Sequence, residues 1–389
     1  MLNLMIFVIM GFHVEARQPL VGLDVKQLIA KEGYPVETHK MITEDQYVLR
    51  TIRIPYGKNN QINTKRPAVL LFSGLICCAA DWVNMEQKSL GFILAENGYD
   101  VWLGNARGST LSKKHLRYNP IKHAKEFWNY GIHEVAYYDL PANIDYIKNV
   151  TGQDKIFYIG YSHGTTAWFA LMASRPEYNK AIRCMAALAP AMLFGNSKNI
   201  IIDFLHTYMK ELEELVQLYD LYEILPHNSI VPATAELLCH ENSMFREICA
   251  ALFFFIAGYS PDYLNRTRIP VIVSNTPSGC SFLQIKHYVQ LYYTEHFQQY
   301  DYDKKENLRI YGTETPRKYD VSKITAPVTA YYGSADILVS YIDAERTISA
   351  LPNVVFAKKI ARYNHFDVMW GSDVENKVFA SIVKQFGKY

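Results

Sequence analysis

The sequence predicts a doubly wound α/β fold, a mostly parallel sheet whose second half is separated from the first by a helical insertion. Three observations predict it. Strand-like and helix-like segments alternate over the first half of the chain, the strand-like segments are near-continuous apolar runs, and from about residue 191 to 300 the pattern turns helical before strands resume. Alternation of this kind builds βαβ units, and apolar runs without a polar face fit strands covered on both sides.

The elements follow in order. Tyr47 to Gly57 (YVLRTIRIPYG) alternates and reads as a strand; Pro67 to Leu75 (PAVLLFSGL) is a continuous apolar strand; NGYDVWLGN is another. EVAYYDLPANIDYIKNV has helical spacing, KIFYIG is a strand, TTAWFALMASRPEY a helix and AIRCMAALAP a strand. The insertion opens with NIIIDFLHTYMKELEELVQLYDLYEIL, shows no clear strands, and contains AALFFFIAG from Ala250, which reads as a buried helix. The core resumes with a strand just after Pro327, then NVVFAKKI as a strand and VENKVFASIVKQFG as a closing helix. The expected organisation is a signal peptide over 1–16, the first part of the core over 17–190, the insertion over 191–300 and the second part of the core over 301–389.

Composition narrows the class. The chain has 389 residues, 49% hydrophobic and 20% charged, enough apolar material for a large core and unlike a disordered segment. A formal charge of +2 is too balanced to imply a nucleic-acid partner. The N-terminal run MLNLMIFVIMGF, followed by Val14 and Ala16 before a plausible cleavage point, reads as a secretory signal, and no later run reaches the length of a membrane span. Sequons at Asn149 and Asn265 fit that route. Of the six cysteines, Cys239 and Cys249 could close a small loop as a disulfide, whereas Cys77, Cys78 and Cys184 read as small apolar groups.

The chemistry centres on Gly160-Tyr161-Ser162-His163-Gly164, a G-x-S-x-G pentapeptide. Roughly one chain in ten of this length would carry that pattern by accident, so its placement decides. It stands between a strand and a helix, where a sharp turn exposes a serine hydroxyl as the nucleophile elbow of the α/β-hydrolase fold. A serine attacks only when a histidine takes its proton and an acid holds that histidine. In this fold the chain order is serine, acid, histidine, which selects Asp336, just after the strand VTAYYG, and His365, in YNHFD before the last helix. Asp343 and Asp367 are the rival acids, and His163 the rival base, its side chain expected to diverge from the serine. Backbone N–H groups of His163 and of Leu75, in the turn Ser73-Gly74-Leu75, are the expected oxyanion donors. The chemistry needs no metal or cofactor.

With these residues in view, the chain resembles the acid lipase family, which includes gastric and lysosomal acid lipases and insect relatives. The resemblance spans about Val36 to Val383 and is carried by LGNARGS from Leu103, YYDLPANIDYI from Tyr137, YIGYSHGTT from Tyr158, YYGSADILV from Tyr331 and YNHFDVMWG from Tyr363. It implies Ser162 as nucleophile, Asp336 as acid and His365 as base, Leu75 and His163 as oxyanion donors, a cap with a lid over an acyl cleft, and a Cys239–Cys249 disulfide in the cap. It also implies a lipid ester at a lipid–water interface as substrate, with secretion or a lysosomal location. Two departures stand out: Ser73 occupies a place where relatives typically carry histidine, and Tyr161 and His163 flank the serine where histidine and glutamine are common. The competing expectation is a lipid-carrying storage protein that keeps the fold without turnover.

Overall fold

The computed structural model describes residues 20–59, 65–228, 230–240, 242–294 and 296–389; the expected signal peptide lies outside these residues. Eight strands form the central sheet: β1 (Glu37–Ile42), β2 (Val48–Ile54), β3 (Ala68–Phe72), β4 (Asp100–Gly104), β5 (Ile156–Tyr161), β6 (Ile182–Leu188), β9 (Val328–Gly333) and β10 (Val354–Ile360). Two short strands, β7 (Glu223–Ile224) and β8 (Cys280–Ser281), pair antiparallel outside it. The order β1-β2-β4-β3-β5-β6-β9-β10 is parallel except at β1–β2 and β2–β4. β3, β4 and β5 are buried along their whole length because helices cover both faces. Alternate residues feed two cores: Val69, Leu71 and Ile159 on one side, Leu70, Phe72 and Trp102 on the other.

Register places the functional loops on one edge. Phe72 pairs with Gly160, Tyr161 with Leu188, Leu188 with Tyr331 and Gly333 with Ile360, so the C-terminal ends of β3, β5, β9 and β10 line up. In open α/β sheets that edge is where ligands bind.

The structure departs from the sequence expectations in four places. β1, with ETHKMI, is a strand that the polar composition hides; it is an edge strand, largely exposed. The helices Val25–Lys31 and Leu90–Glu96 also escape the pattern, each being seven residues long. β7 and β8 interrupt the helices between β6 and β9, and at two residues each they are too short to show alternation. Most telling is the helix Arg246–Ala257, expected to be buried. It buries Cys249, Ala250 and Ala257, while Ile248, Leu252 and Phe255 are each more than half exposed. Phe253 packs against the core and Phe366, but Ile248, Leu252 and Phe255 face out, so the helix is only half a core helix.

Candidate active site

β5 ends in Tyr161, and the helix His163–Ser174 begins two residues later. Ser162 between them sits at φ 49°, ψ −112°, a conformation a non-glycine residue adopts only when its surroundings impose it. Its N–H donates to Leu188 O at 2.9 Å, tying the turn to β6. The flanking glycines are required by contact: a Cβ on Gly164 would lie 2.1 Å from Phe72 O at the end of β3, and one on Gly160 2.8 Å from the backbone of Gly164.

The structure brings Ser162, His365 and Asp336 together from three loops. His365 Nε2 is 2.9 Å from Ser162 Oγ, and His365 Nδ1 is 2.7 Å from Asp336 Oδ2. The second carboxylate oxygen, Oδ1, accepts the N–H groups of Leu338 and Val339 at 2.9 and 2.8 Å. Asp336 and His365 are buried, whereas Ser162 is partly open. The rival acids lie elsewhere. Asp343 accepts the backbone and side-chain N–H of Asn196 and the hydroxyls of Ser197 and Ser340. Asp367 accepts Asn364 N–H at 2.7 Å, fixing the loop that carries His365; burial pushes its carboxyl up to about 6. The His163 ring contacts Tyr288 and Gln284 instead of the serine.

Neither the Leu75 nor the His163 N–H has a hydrogen-bond partner among the described residues. The turn carrying Leu75 is held from several sides. Ser73 Oγ donates to Cys78 O at 2.8 Å, Asp81 accepts Cys78 N–H and the Thr276 hydroxyl at 2.8 Å each, and Ser278 N–H donates to Ile76 O at 2.7 Å. Ser73 thus supplies an internal tie to this turn. Tyr161 is also accommodated: its ring is buried and its hydroxyl donates to His365 O at 3.2 Å.

Sequence reasoning missed the brace behind the triad. Ala257 O, at the end of the helix Arg246–Ala257, accepts the N–H groups of both His365 and Ile337, at 3.2 and 3.4 Å, and Gly258 O accepts the Asn364 side chain at 2.8 Å. Gly258 has φ 111°, and a Cβ there would lie 2.0 Å from Ala335 O. The glycine that ends AALFFFIAG was its one visible signal. Cys239 and Cys249 form a disulfide that ties this helix to the helix Ile230–Cys239. Asn149 is exposed near the end of the helix Leu140–Thr151, and Asn265 precedes a short helical turn.

Comparison with known proteins resolves the lineage. Residues 67–372 match the family model described as alpha/beta hydrolase fold, and residues 25–86 match the partial alpha/beta-hydrolase lipase region. Gastric triacylglycerol lipase of Rattus norvegicus is 35% identical over 95% of this chain and 93% of its own length. The human gastric triacylglycerol lipase is 35% identical over 95% and 92%, and Lipase 3 of Drosophila melanogaster 32% over 94% and 93%. The chain belongs to the acid lipase family. Solved structures carry the fold further afield: the alpha/beta hydrolase GrgF from Penicillium aligns with a TM-score of 0.53 at 14% identity, covering 91% of this chain and all 100% of that one. As an acid lipase family member, this chain is an ester hydrolase. Its family motif LGNARGS supplies a buried brace instead of a reacting group: Arg107 donates to Asp139 and Asp45 beneath the sheet edge.

Proposed function

We propose that the protein is a secreted lipase that hydrolyses long-chain fatty-acid esters, triacylglycerols first, through an acyl-enzyme on Ser162. The observation that carries the reading is the hydrogen-bonded line Ser162 Oγ, His365 Nε2, His365 Nδ1, Asp336 Oδ2. Ser162 Oγ attacks the ester carbonyl as its proton passes to His365 Nε2; Asp336 holds the Nδ1 proton and stabilises the imidazolium. The N–H groups of Leu75 and His163 receive the oxyanion. The tetrahedral intermediate collapses, the alcohol leaves with the proton from His365, and water then attacks the acyl-enzyme by the same route to release the fatty acid.

The preference for a lipid substrate rests on the surface beside the site. Helices Ile200–Thr207, Met209–Tyr219 and Arg246–Ala257 expose Ile200, Phe204, Leu218, Leu252 and Phe255, each at least half accessible. Apolar side chains gathered this densely on three helices suit a lipid surface and an acyl-binding cap over 191–300. The Cys239–Cys249 disulfide fits an oxidising, secretory compartment. No helix of the described residues is long and apolar enough to cross a membrane.

The deciding experiment treats purified protein and Ser162→Ala with a fluorophosphonate probe, then measures fatty-acid release from a long-chain triacylglycerol emulsion. Labelling and release by the wild type, both lost in the variant, are expected. A folded wild-type protein that neither labels nor releases fatty acid would sink the reading and leave a lipid carrier in its place.

A further inference from the structure

The reaction above uses only the backbone of His163, yet its imidazole is 2% exposed and engaged on both nitrogens. Nδ1 lies 2.8 Å from Tyr288 Oη and Nε2 lies 3.3 Å from Gln284 Nε2. The neighbours fix the tautomer. Gln284 Oε1 accepts Ser281 N–H at 3.2 Å, which turns the amide's NH2 toward His163. His163 Nε2 therefore accepts, and Nδ1 carries the hydrogen and donates to Tyr288 Oη. Tyr288 in turn donates to Thr166 Oγ1 at 3.1 Å, and Thr166 to Ala191 O at 2.6 Å. Each hydrogen in this chain has one place, and a proton added at Nε2 would face the N–H of Gln284. Burial, with His287 nearby, accordingly pushes the imidazole down to about 3.

Gln284 and Tyr288 are four residues apart on one face of the helix Phe282–Tyr292, which belongs to the segment between β6 and β9. Its N-cap, Ser281, donates to Tyr130 O at 2.5 Å. At its other end the Tyr292 hydroxyl donates to Leu338 O, two residues beyond Asp336. This single helix therefore touches both the turn that carries the nucleophile and the loop that carries the acid.

We propose that the His163 side chain is a positioning residue: it fastens the first residue of the elbow helix to the helix Phe282–Tyr292, and so holds its own backbone N–H where the oxyanion forms. The role rests on the lipase reading above. A misplaced donor weakens transition-state stabilisation without weakening substrate binding, so the loss belongs in kcat.

The test compares wild type, His163→Ala, His163→Gln and Tyr288→Phe on a soluble short-chain p-nitrophenyl ester, with phosphonylation rates measured alongside. His163→Ala and Tyr288→Phe are expected to lose about tenfold in kcat with KM within about twofold, and a protein carrying both His163→Ala and Tyr288→Phe to fall no further than His163→Ala. His163→Gln, whose amide offers both a donor and an acceptor, recovers most of the loss. Folded variants with kcat within about twofold of wild type, a rise in KM at unchanged kcat, or a glutamine variant as slow as the alanine one would each overturn the role. Tyr288→Phe removes a single oxygen and decides the matter if His163→Ala fails to fold. A wild type inert to both probe and ester would instead bring down the lipase reading itself.

Discussion

Asp336 has no freedom to turn: Oδ1 is committed to the N–H groups of Leu338 and Val339 and Oδ2 to His365 Nδ1. In Asp336→Asn the amide oxygen stays with the two backbone donors, which points the NH2 at His365 Nδ1. The imidazole must then carry its hydrogen on Nε2, where it cannot accept from Ser162. A loss of about 10³–10⁴-fold in kcat is expected with the fold intact, measured by ester hydrolysis beside a thermal melt. At this scale the candidate site was legible in the sequence, because strand ends, glycines and chain order point to Ser162, Asp336 and His365, which the structure brings within hydrogen-bond distance. It was silent on the His163 side chain, whose partners Tyr288 and Gln284 lie more than a hundred residues away.

Among elements, the helix Arg246–Ala257 buries only Cys249, Ala250 and Ala257 and yet braces the site. Its exposed face carries Leu252 and Phe255, and its last carbonyl joins the loops of Asp336 and His365. Gly258→Ala would place a methyl group against Ala335 O and force a backbone conformation that alanine resists. The expected result is a kcat reduced by at least about tenfold and a lowered Tm, read by activity and calorimetry. The disulfide acts on the same helix from its other end. Replacing Cys239 and Cys249 by serine removes a constraint on a loop with a sequence separation of 10, worth about 2–3 kcal/mol locally. Activity is expected to be lost on heating before the core melts, seen as separated transitions. The apolar run AALFFFIAG identified the helix but not its exposed face, because Leu, Phe and Ile read alike whether they meet a core or a lipid.

Over the whole molecule, buried groups of opposite response sit close together in pH. Burial pushes His163 and His287 down to about 3 and about 4, so as pH falls below the usual histidine range the unfolded chain takes up two protons that the folded chain refuses, and stability falls. Burial pushes Asp81, Asp139 and Asp367 up to about 6, so from about pH 6 to 4 the folded chain holds three protons that the unfolded chain lacks, and stability rises as pH falls. The histidines and the carboxyls act in opposite directions across that window. Removing one histidine unbalances them: His163→Gln should gain on the wild type by about 1 kcal/mol for each pH unit below about 6, measured by denaturant melts at several pH values.

The sequence by itself determined the α/β class, the strands β2 to β6, β9 and β10, the elbow and the family, because near-continuous apolar strands, glycine-flanked turns and ordered motifs are local signals. Only the tertiary structure decided that β1 joins the sheet edge, that the Arg246–Ala257 helix leaves Ile248, Leu252 and Phe255 outward, and which distant partners brace His163 and His365. Those outcomes depend on which surfaces meet after the chain has folded. Hydrogen bonds between residues one or two hundred positions apart leave no pattern in the order of the amino acids.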